Sequence, residues 1–227
     1  PYRLEVSYKD FRHPSSVVWS PKLEDDLKRR DFTINAIALD IEEKVGDSYK
    51  GRLVDLYRGQ EDLVRKTVRT VGDPHDRFSE DALRMLRAVR IATELGFSID
   101  SETATAIQKY AHLFKEIAQE RIRDEFVRIL MSENPMIGVI LCQKLGILQH
   151  VAHETEKAIG IEQNQAHAFD VWEHLLRSLQ HAADKKWPLE VRLAALFHDI
   201  GKPRTRRVAA SAQIKNSGGE SLNLSPE

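Results

Sequence analysis

Three groups of side chains in this 227-residue sequence have types and spacings suited to chemistry. The first is LKRRDFTINA, residues 27–36. Adjacent Arg29 and Arg30 ahead of Asp31 can set a guanidinium fork against a phosphate or ribose oxygen, because arginine presents paired donors in a fixed plane. A solvated basic patch at a helix end would use the same residues. The second group is RFSEDALRMLRAVR, residues 77–90. Ser79 can cap a helix here, with Glu80 and Asp81 in a first turn whose dipole favours acids. On that helix Asp81 and Arg84 are surface neighbours at i and i+3, and Arg87 and Arg90 continue the ridge. A carboxylate beside a guanidinium is also a hydrogen-bond template: one accepts from an exocyclic amine, the other donates to a ring nitrogen or carbonyl. Cytosine and adenine present an amine next to an acceptor, whereas uracil and guanine would turn a keto oxygen towards the carboxylate. Such a pair selects C and A without a nucleic-acid template. An ordinary ion-paired helix is the alternative.

The third group is His174 with His198-Asp199, the latter inside the apolar LAALFHDIGK. Polar groups on an apolar helix need partners, and the remedy is either a shared metal ion or plain hydrogen bonding. His167, seven residues before His174, can join that site or cap its helix.

These side chains need elements to hold them. Tyr2, Leu4 and Val6 alternate, as do Val17 and Trp19 after a turn at Pro14, which predicts strands belonging to a larger sheet. The absence of an initiator Met points to an N-terminal truncation. Residues 23–38 run from basic to apolar, and a second alternation spans Gly51, Leu53, Asp55 and Tyr57. From Ser79 onward the pattern turns helical and no further strand is expected. Leu83, Leu86 and Val89 share one face; so do Ile107, Tyr110 and Leu113; Ile122, Phe126 and Ile129; and Ile137, Ile140 and Leu141. Gly96, Asn134-Pro135 and Gly146 separate these helices. A second helical block runs from about Ala166 to Pro203. Beyond it RRVAASAQIKNSGGESLNLSPE loses all periodicity, the composition of a disordered tail or a broken reading frame.

Composition narrows the partners. Thirty-four Lys and Arg stand against 35 Asp and Glu, a formal net charge of −1, so any RNA contact must be a local basic patch. The absence of a membrane-length apolar run and of a basic, then apolar, leader reads as a soluble cytoplasmic chain with no membrane partner. Cys142 is the single cysteine, so no internal disulfide forms, and its apolar setting reads as core.

In this order the motifs LEDDLKRRDFTINAIALD, GRLVDLYRGQEDLVRKTVRTVGD, RFSEDALRMLRAVRIATELGF, QERIRDEFVRIL and LAALFHDIGKP resemble the bacterial tRNA nucleotidyltransferase and poly(A) polymerase family, of the CCA-adding type that carries an HD domain. The resemblance implies an α+β, mostly α fold. Residues 1–58 would be the remnant of a mixed-sheet nucleotidyltransferase head, 59–155 a helical neck and body, 156–206 an incomplete HD domain, and 207–227 a disordered or aberrant tail. It implies that Arg30 lines the nucleotide pocket and helps read the ribose, supported by Asp31 and Asn35. Asp81 and Arg84 become the template for CTP or ATP, and Arg87 and Arg90 bind the nucleotide. Gly51 to Gly59 match the hinge between head and neck, and Glu120 to Glu125 a segment that stiffens the neck.

The family's catalytic DxD carboxylates, which hold Mg2+, would lie upstream of Pro1. Glu24, Asp25 and Asp26 read as a solvated face rather than a replacement, and the loop between Asp40 and Gly51 is long and acidic. His174, His198 and Asp199 would hold a divalent transition metal, although the distal Asp of an HD site has no counterpart after Arg207. The implied activity is addition of CCA, or part of it, to tRNA 3′ ends, by a longer protein of which this segment alone would be inactive. Poly(A) synthesis, metal-dependent HD phosphohydrolysis, and RNA clamping by Lys109, Lys115, Arg121 and Arg123 are the alternatives. The sequence indicates no oligomeric state.

Overall fold

The computed structural model describes the backbone of residues 2–8, 14–161, 169–202, 214–215 and 221–222, and the side chains of 19–161 and 169–202. Strands β1 (Tyr2–Tyr8) and β2 (Pro14–Ser20) pair antiparallel, Tyr2 opposite Ser20. After α1 (Leu23–Lys28) and a 3-10 turn at Thr33–Asn35 comes a second hairpin, β3 (Ile37–Val45) and β4 (Ser48–Asp55). Its turn uses Gly46 at φ +61, a conformation that costs glycine little. The stretch from Asp40 to Gly51 is therefore not a loop, as its acidity suggested, but the outer half of this hairpin. The fold is α+β and mostly α, as expected, and its sheet part is small: among the described residues every sheet has two strands.

Strands do not end at Ser79 either. β5 (Thr67–Val68) pairs in parallel with β6 (Ser98–Ile99), and the tail, read as structureless, carries a short antiparallel pair, β7 (Ile214–Lys215) with β8 (Ser221–Leu222). Two-residue strands are too short to leave an alternation that a sequence reading can detect.

The rest is helical: α2 (Gly59–Arg65), α3 (Pro74–Glu80), α4 (Leu83–Leu95), α5 (Ser101–Tyr110), α6 (Gln119–Met131), α7 (Pro135–Lys144), α8 (Leu148–Val151), α9 (His153–Glu156), α10 (Val171–Asp184) and α11 (Leu189–Phe197). Local chemistry sets their ends. Asp73, Asp100 and Asp170 cap α3, α5 and α10 by accepting from backbone N–H groups two or three residues on. Pro74 and Pro135 occupy first-turn positions, and Gly96 at φ +66 stops α4.

The segment read as one helix capped by Ser79 is two. Asp73 supplies the cap, and Asp81 has an extended backbone, φ −149 and ψ 103, that separates α3 from α4. Its side chain then accepts from Leu83 N–H at 3.1 Å.

One apolar core joins these pieces. Phe32 from the RRDFT segment, Phe78, Leu86 and Val89 pack with Ile107, Phe114, Ile129 and Val139, and the cluster continues to Leu176, Leu179 and Leu196 of α10 and α11. Arg192, buried on α11, donates to the carbonyls of Leu130 (2.7 Å), Ser132 (2.8 Å) and Trp187 (3.0 Å), closing the C-terminal end of α6 against the last helices. Burial pushes the Cys142 thiol up to about 12, as suits an inert core residue. No described helix is long and apolar enough to cross a membrane.

Helices α4, α6 and α7 meet at Gly138. A methyl group there would overlap Ile129 and come to 2.8 Å from Thr93 Oγ1. Helix propensity alone would make Gly138→Ala stabilising by about 1 kcal/mol, whereas overpacking costs about 1–3 kcal/mol. Net destabilisation, read as a lowered urea midpoint with an unchanged slope, is the expected result.

Candidate nucleotide site

The backbone of residues 31–33 is tied to the neck. Thr33 N–H donates to Arg69 O (2.9 Å), Val71 N–H donates to Asp31 O (3.0 Å), and Phe32 bridges to Thr70 with its ring fully buried. Behind this ribbon the buried carboxylate of Asp62 accepts from Thr33 Oγ1 at 2.6 Å and from Arg69 Nε at 3.0 Å. The neck approaches so closely that Gly59 has no room for a side chain: a Cβ would overlap Thr33 O. Asp55, at the end of β4, accepts from the N–H groups of Gly59 (2.7 Å) and Gln60 (2.9 Å) and fixes the junction.

On this frame acids aim the arginines. Asp26, on the buried side of α1, accepts from Arg29 Nε and Nη2 and from Arg30 Nε (3.2 Å) and Nη2 (2.9 Å). It is buried, which corrects its reading as a solvated face. Burial acts to raise its pKa, yet the hydrogen bonds and charges of Arg29 and Arg30 prevail and hold it below the usual carboxylate value. Arg30 also donates to Asn35 O at 2.9 Å.

Asp31 receives Phe32 N–H (2.9 Å) and Asn35 Nδ2 (3.1 Å) on one oxygen, and Arg87 Nε (2.9 Å) and Nη2 (2.6 Å) on the other. Burial again pushes the Asp31 pKa up. The Arg87 charge and these hydrogen bonds outweigh it, leaving the carboxyl depressed. Arg87 is raised in turn: desolvation works against its charge, but Asp31, Glu125 and Asp81 sustain it.

Arg77, buried at the start of the network, donates to Lys28 O (2.8 Å) and to Glu80 (2.5 Å). The other Glu80 oxygen takes Arg84 Nη1 at 2.6 Å, and Arg84 Nη2 donates to Arg29 O at 3.2 Å. Asp81 pairs not with Arg84, as the i, i+3 spacing predicts, but with Arg121 of α6 at 2.7 Å. Its extended backbone turns the carboxylate off the face that carries Arg84.

The result is an open cleft of about 590 Å³. Of the residues singled out in the sequence, Arg30, Asp31, Asn35, Asp81, Arg84 and Arg87 line it; Arg29, Leu83 and Arg121 complete it. Five guanidinium groups and two carboxylates face the space, while Asp26, Glu80 and Glu125 sit outside the lining. A wall of this sign suits a polyanion, and a carboxylate set among the arginines suits an amine-bearing base.

Arg90 is brought elsewhere. It is buried and clamped between Glu125 (2.5 Å) and Glu94 (2.6 Å), so it backs α4 rather than lining the cleft. Sequence reasoning missed the cleft role of Arg121, grouped instead with an RNA-facing set; of that set Arg123 is exposed and bonds its neighbour Asp124, and Lys109 lies over the Tyr110 ring at 5.2 Å. It also missed Asp26 and Glu80, although their i, i+3 and i, i+4 spacings to arginine carried the signal.

A second cluster forms where α10 faces the end of α11. His174 Nε2 and His198 Nε2 are 3.1 Å apart, and Asp199 Oδ2 lies 3.7 and 3.4 Å from them. All three donors fall within 4.8 Å of one another. His198 Nδ1 is 3.0 Å from Ala195 O; a proton there leaves the Nε2 lone pair facing the cluster. Burial acts to raise the Asp199 pKa, but the Lys202 hydrogen bond at 2.6 Å and the neighbouring positive charges lower it. His167 lies outside the described residues.

Known proteins resemble the chain in three successive segments. Residues 1–69 match the poly(A) polymerase head domain, 96–159 the probable RNA and SrmB-binding site of polymerase A, and 171–220 the HD domain. The chain is 46% identical over 138 residues to the CCA-adding enzyme of Ligilactobacillus salivarius, covering 61% of this chain and 32% of that protein. It is 42% identical over 160 residues to that of Enterococcus faecalis, covering 70% and 37%. The chain thus spans about a third of the length of the curated relatives it matches. Among solved structures, the Bacillus stearothermophilus CCA-adding enzyme in complex with CTP superposes with a TM-score of 0.60 at 30% identity, covering 89% of this chain and 51% of that one. Head, RNA-binding and HD models in succession leave one placement: the chain belongs to the tRNA nucleotidyltransferase and poly(A) polymerase family.

Proposed function

We propose that this chain is the nucleotide-selecting part of a template-independent nucleotidyltransferase that adds CCA, or part of it, to tRNA 3′ ends from CTP and ATP. The observation that carries the reading is that Asp81 and Arg84 line the same cleft while each is held by a different partner, Arg121 and Glu80. Both side chains therefore keep fixed orientations without neutralising each other. Asp81 accepts the exocyclic amine, Arg84 donates to the adjacent ring acceptor, and a keto oxygen at the amine position would leave the carboxylate facing another acceptor.

Arg30 takes the ribose side, with Asp31 and Asn35 holding the ribbon in shape, and Arg87 takes the triphosphate. Arg90 acts from behind, through Glu125. The names of the relatives and the CTP bound to the Bacillus stearothermophilus enzyme support this choice over poly(A) synthesis. The domain limits read from the sequence, 58/59, 155/156 and 206/207, and residence in the cytoplasm belong to the same reading.

Divalent metals serve the nucleotidyltransferase and HD domains in general. Magnesium would assist the transfer itself, but Asp31 and Asp81, the carboxylates on the cleft, are both taken up by guanidinium groups. They do not fit a magnesium site, and the transfer step is assigned to no residue of this chain.

The His174, His198 and Asp199 cluster supports a second reading, a divalent transition metal held by two imidazoles and a carboxylate. When bound, the ion would activate water against a phosphoester.

A tRNA transcript ending at the discriminator base, offered to the full-length enzyme carrying this segment, tests the first reading. We expect CC from CTP alone, then A only with both nucleotides. A long tail from ATP alone would mean poly(A) synthesis, and equal use of all four nucleotides would overturn the template. Arg84→Ala should weaken CTP and ATP alike by about 10- to 150-fold, the loss of one hydrogen bond to a charged group, whereas Asp81→Ala should mainly relax base choice. For the second site, calorimetric titration with Mn2+ should show one binding event that weakens at least about tenfold in His198→Ala; identical isotherms would remove the metal.

A further inference from the structure

We propose that Arg121 is a positioning residue for base choice: it fixes the Asp81 carboxylate in the cleft, and so makes selection of the incoming base depend on the register of α6 against α4. The inference rests on the nucleotide reading above and adds to it a residue on a different helix.

Asp81 has no helix to orient it. Its backbone is extended between α3 and α4, and its carboxylate accepts two hydrogen bonds: Leu83 N–H on Oδ1 at 3.1 Å and Arg121 Nη2 on Oδ2 at 2.7 Å. The first comes from a residue two positions on and moves with Asp81. The second comes from forty residues away and is the contact that refers the carboxylate to the rest of the fold.

Arg121 is itself well placed for this. It lines the cleft with Asp81, and one helical turn later on the same face of α6 Glu125 accepts from Arg87 (3.4 Å) and Arg90 (2.5 Å) of α4. The two pairs run in opposite senses, α6 donating at the first and accepting at the second. A one-turn slip of α6 would set Glu125 against Asp81 in one direction or Arg121 against Arg87 and Arg90 in the other, so the arrangement favours one alignment. Each Asp81 oxygen has a second lone pair, so the amine of a bound base can be accepted while Arg121 stays in place.

The test is base choice in the full-length enzyme carrying this segment, as the ratio of C and A to U and G incorporated. Arg121→Gln should lower that ratio about tenfold or more, the scale of one lost charge-assisted hydrogen bond, and Arg121→Lys should restore most of it. Adding Arg121→Gln to Asp81→Ala should change the ratio no further, because both act through one carboxylate. Glu125→Gln is the control for general loosening of α6: it should weaken binding of all four nucleotides while leaving the ratio alone. An unchanged ratio in Arg121→Gln, alongside a relaxed ratio in Asp81→Ala, would overturn the inference and leave the nucleotide reading standing. An unchanged ratio in Asp81→Ala would overturn the nucleotide reading and the inference with it. A fall in the ratio with Glu125→Gln equal to that with Arg121→Gln would also overturn it, since α6 packing in general would then be the cause.

Discussion

The Asp31–Arg87 ion pair is the contact on which the cleft depends. It joins the ribbon that follows α1 to the middle of α4, fifty-six residues later, through two hydrogen bonds to one carboxylate oxygen. A partly buried pair of this kind adds little net stability, because desolvating both charges offsets most of their attraction. What it supplies is geometry. Removing either partner would strand a charge in a place that water reaches poorly, so the two elements can approach only in the arrangement that pairs them. The depressed pKa of Asp31 and the raised pKa of Arg87 show the same coupling from each side.

From that pair the charge pattern spreads in a consistent way. Arginines face the cleft, and acids outside its lining hold them: Asp26 behind Arg29 and Arg30, Glu80 behind Arg84, Glu125 behind Arg87. A guanidinium has five donors in one plane, so it can spend some on an acid and still offer others to a ligand. The acids therefore aim the arginines without using them up. They also explain how a chain with net charge −1 can line one recess with five guanidinium groups. The balance is struck within each layer of the site, and a count over the whole sequence cannot register it.

What the sequence made legible follows from the range of the interactions concerned. Helices α4, α6 and α10 were visible because each buries an apolar stripe against the common core, and the 3.6-residue period survives in the chain, whereas α7 is apolar all round and buries Gly138, Val139 and Cys142 rather than the expected face of Ile137, Ile140 and Leu141. Six of the seven nucleotide-site residues singled out there line one cleft with Arg29, Leu83 and Arg121, and the histidine cluster came together from residues twenty-four apart. Arg90 did not join them, because one step further along the ridge of α4 the side chain points into Glu125 and Glu94 rather than into the space. Arg121 escaped notice for the converse reason: its partner is on another helix, and no spacing along the chain announces a contact of that kind. The outer half of the β3–β4 hairpin, from Asp40 to Gly51, was mistaken for a loop because every residue in it is exposed, so no buried apolar face marks the strands.

The break at Asp81 links these points. A single helix across residues 77–90 would have stacked Asp81 beside Arg84 at i and i+3, and each would have satisfied the other. A self-paired template offers nothing to a base, since the acceptor and donor that should read it are already joined. The break between α3 and α4 at Asp81 and Ala82, with Asp81 extended, turns the carboxylate aside to Arg121 and leaves Arg84 to Glu80. The helix gives up a turn of hydrogen bonds at that point. In return the two groups stand in one cleft with opposite hydrogen-bond sense, each held by a partner that is not the other, which is the arrangement an amino-acid template for cytosine and adenine requires.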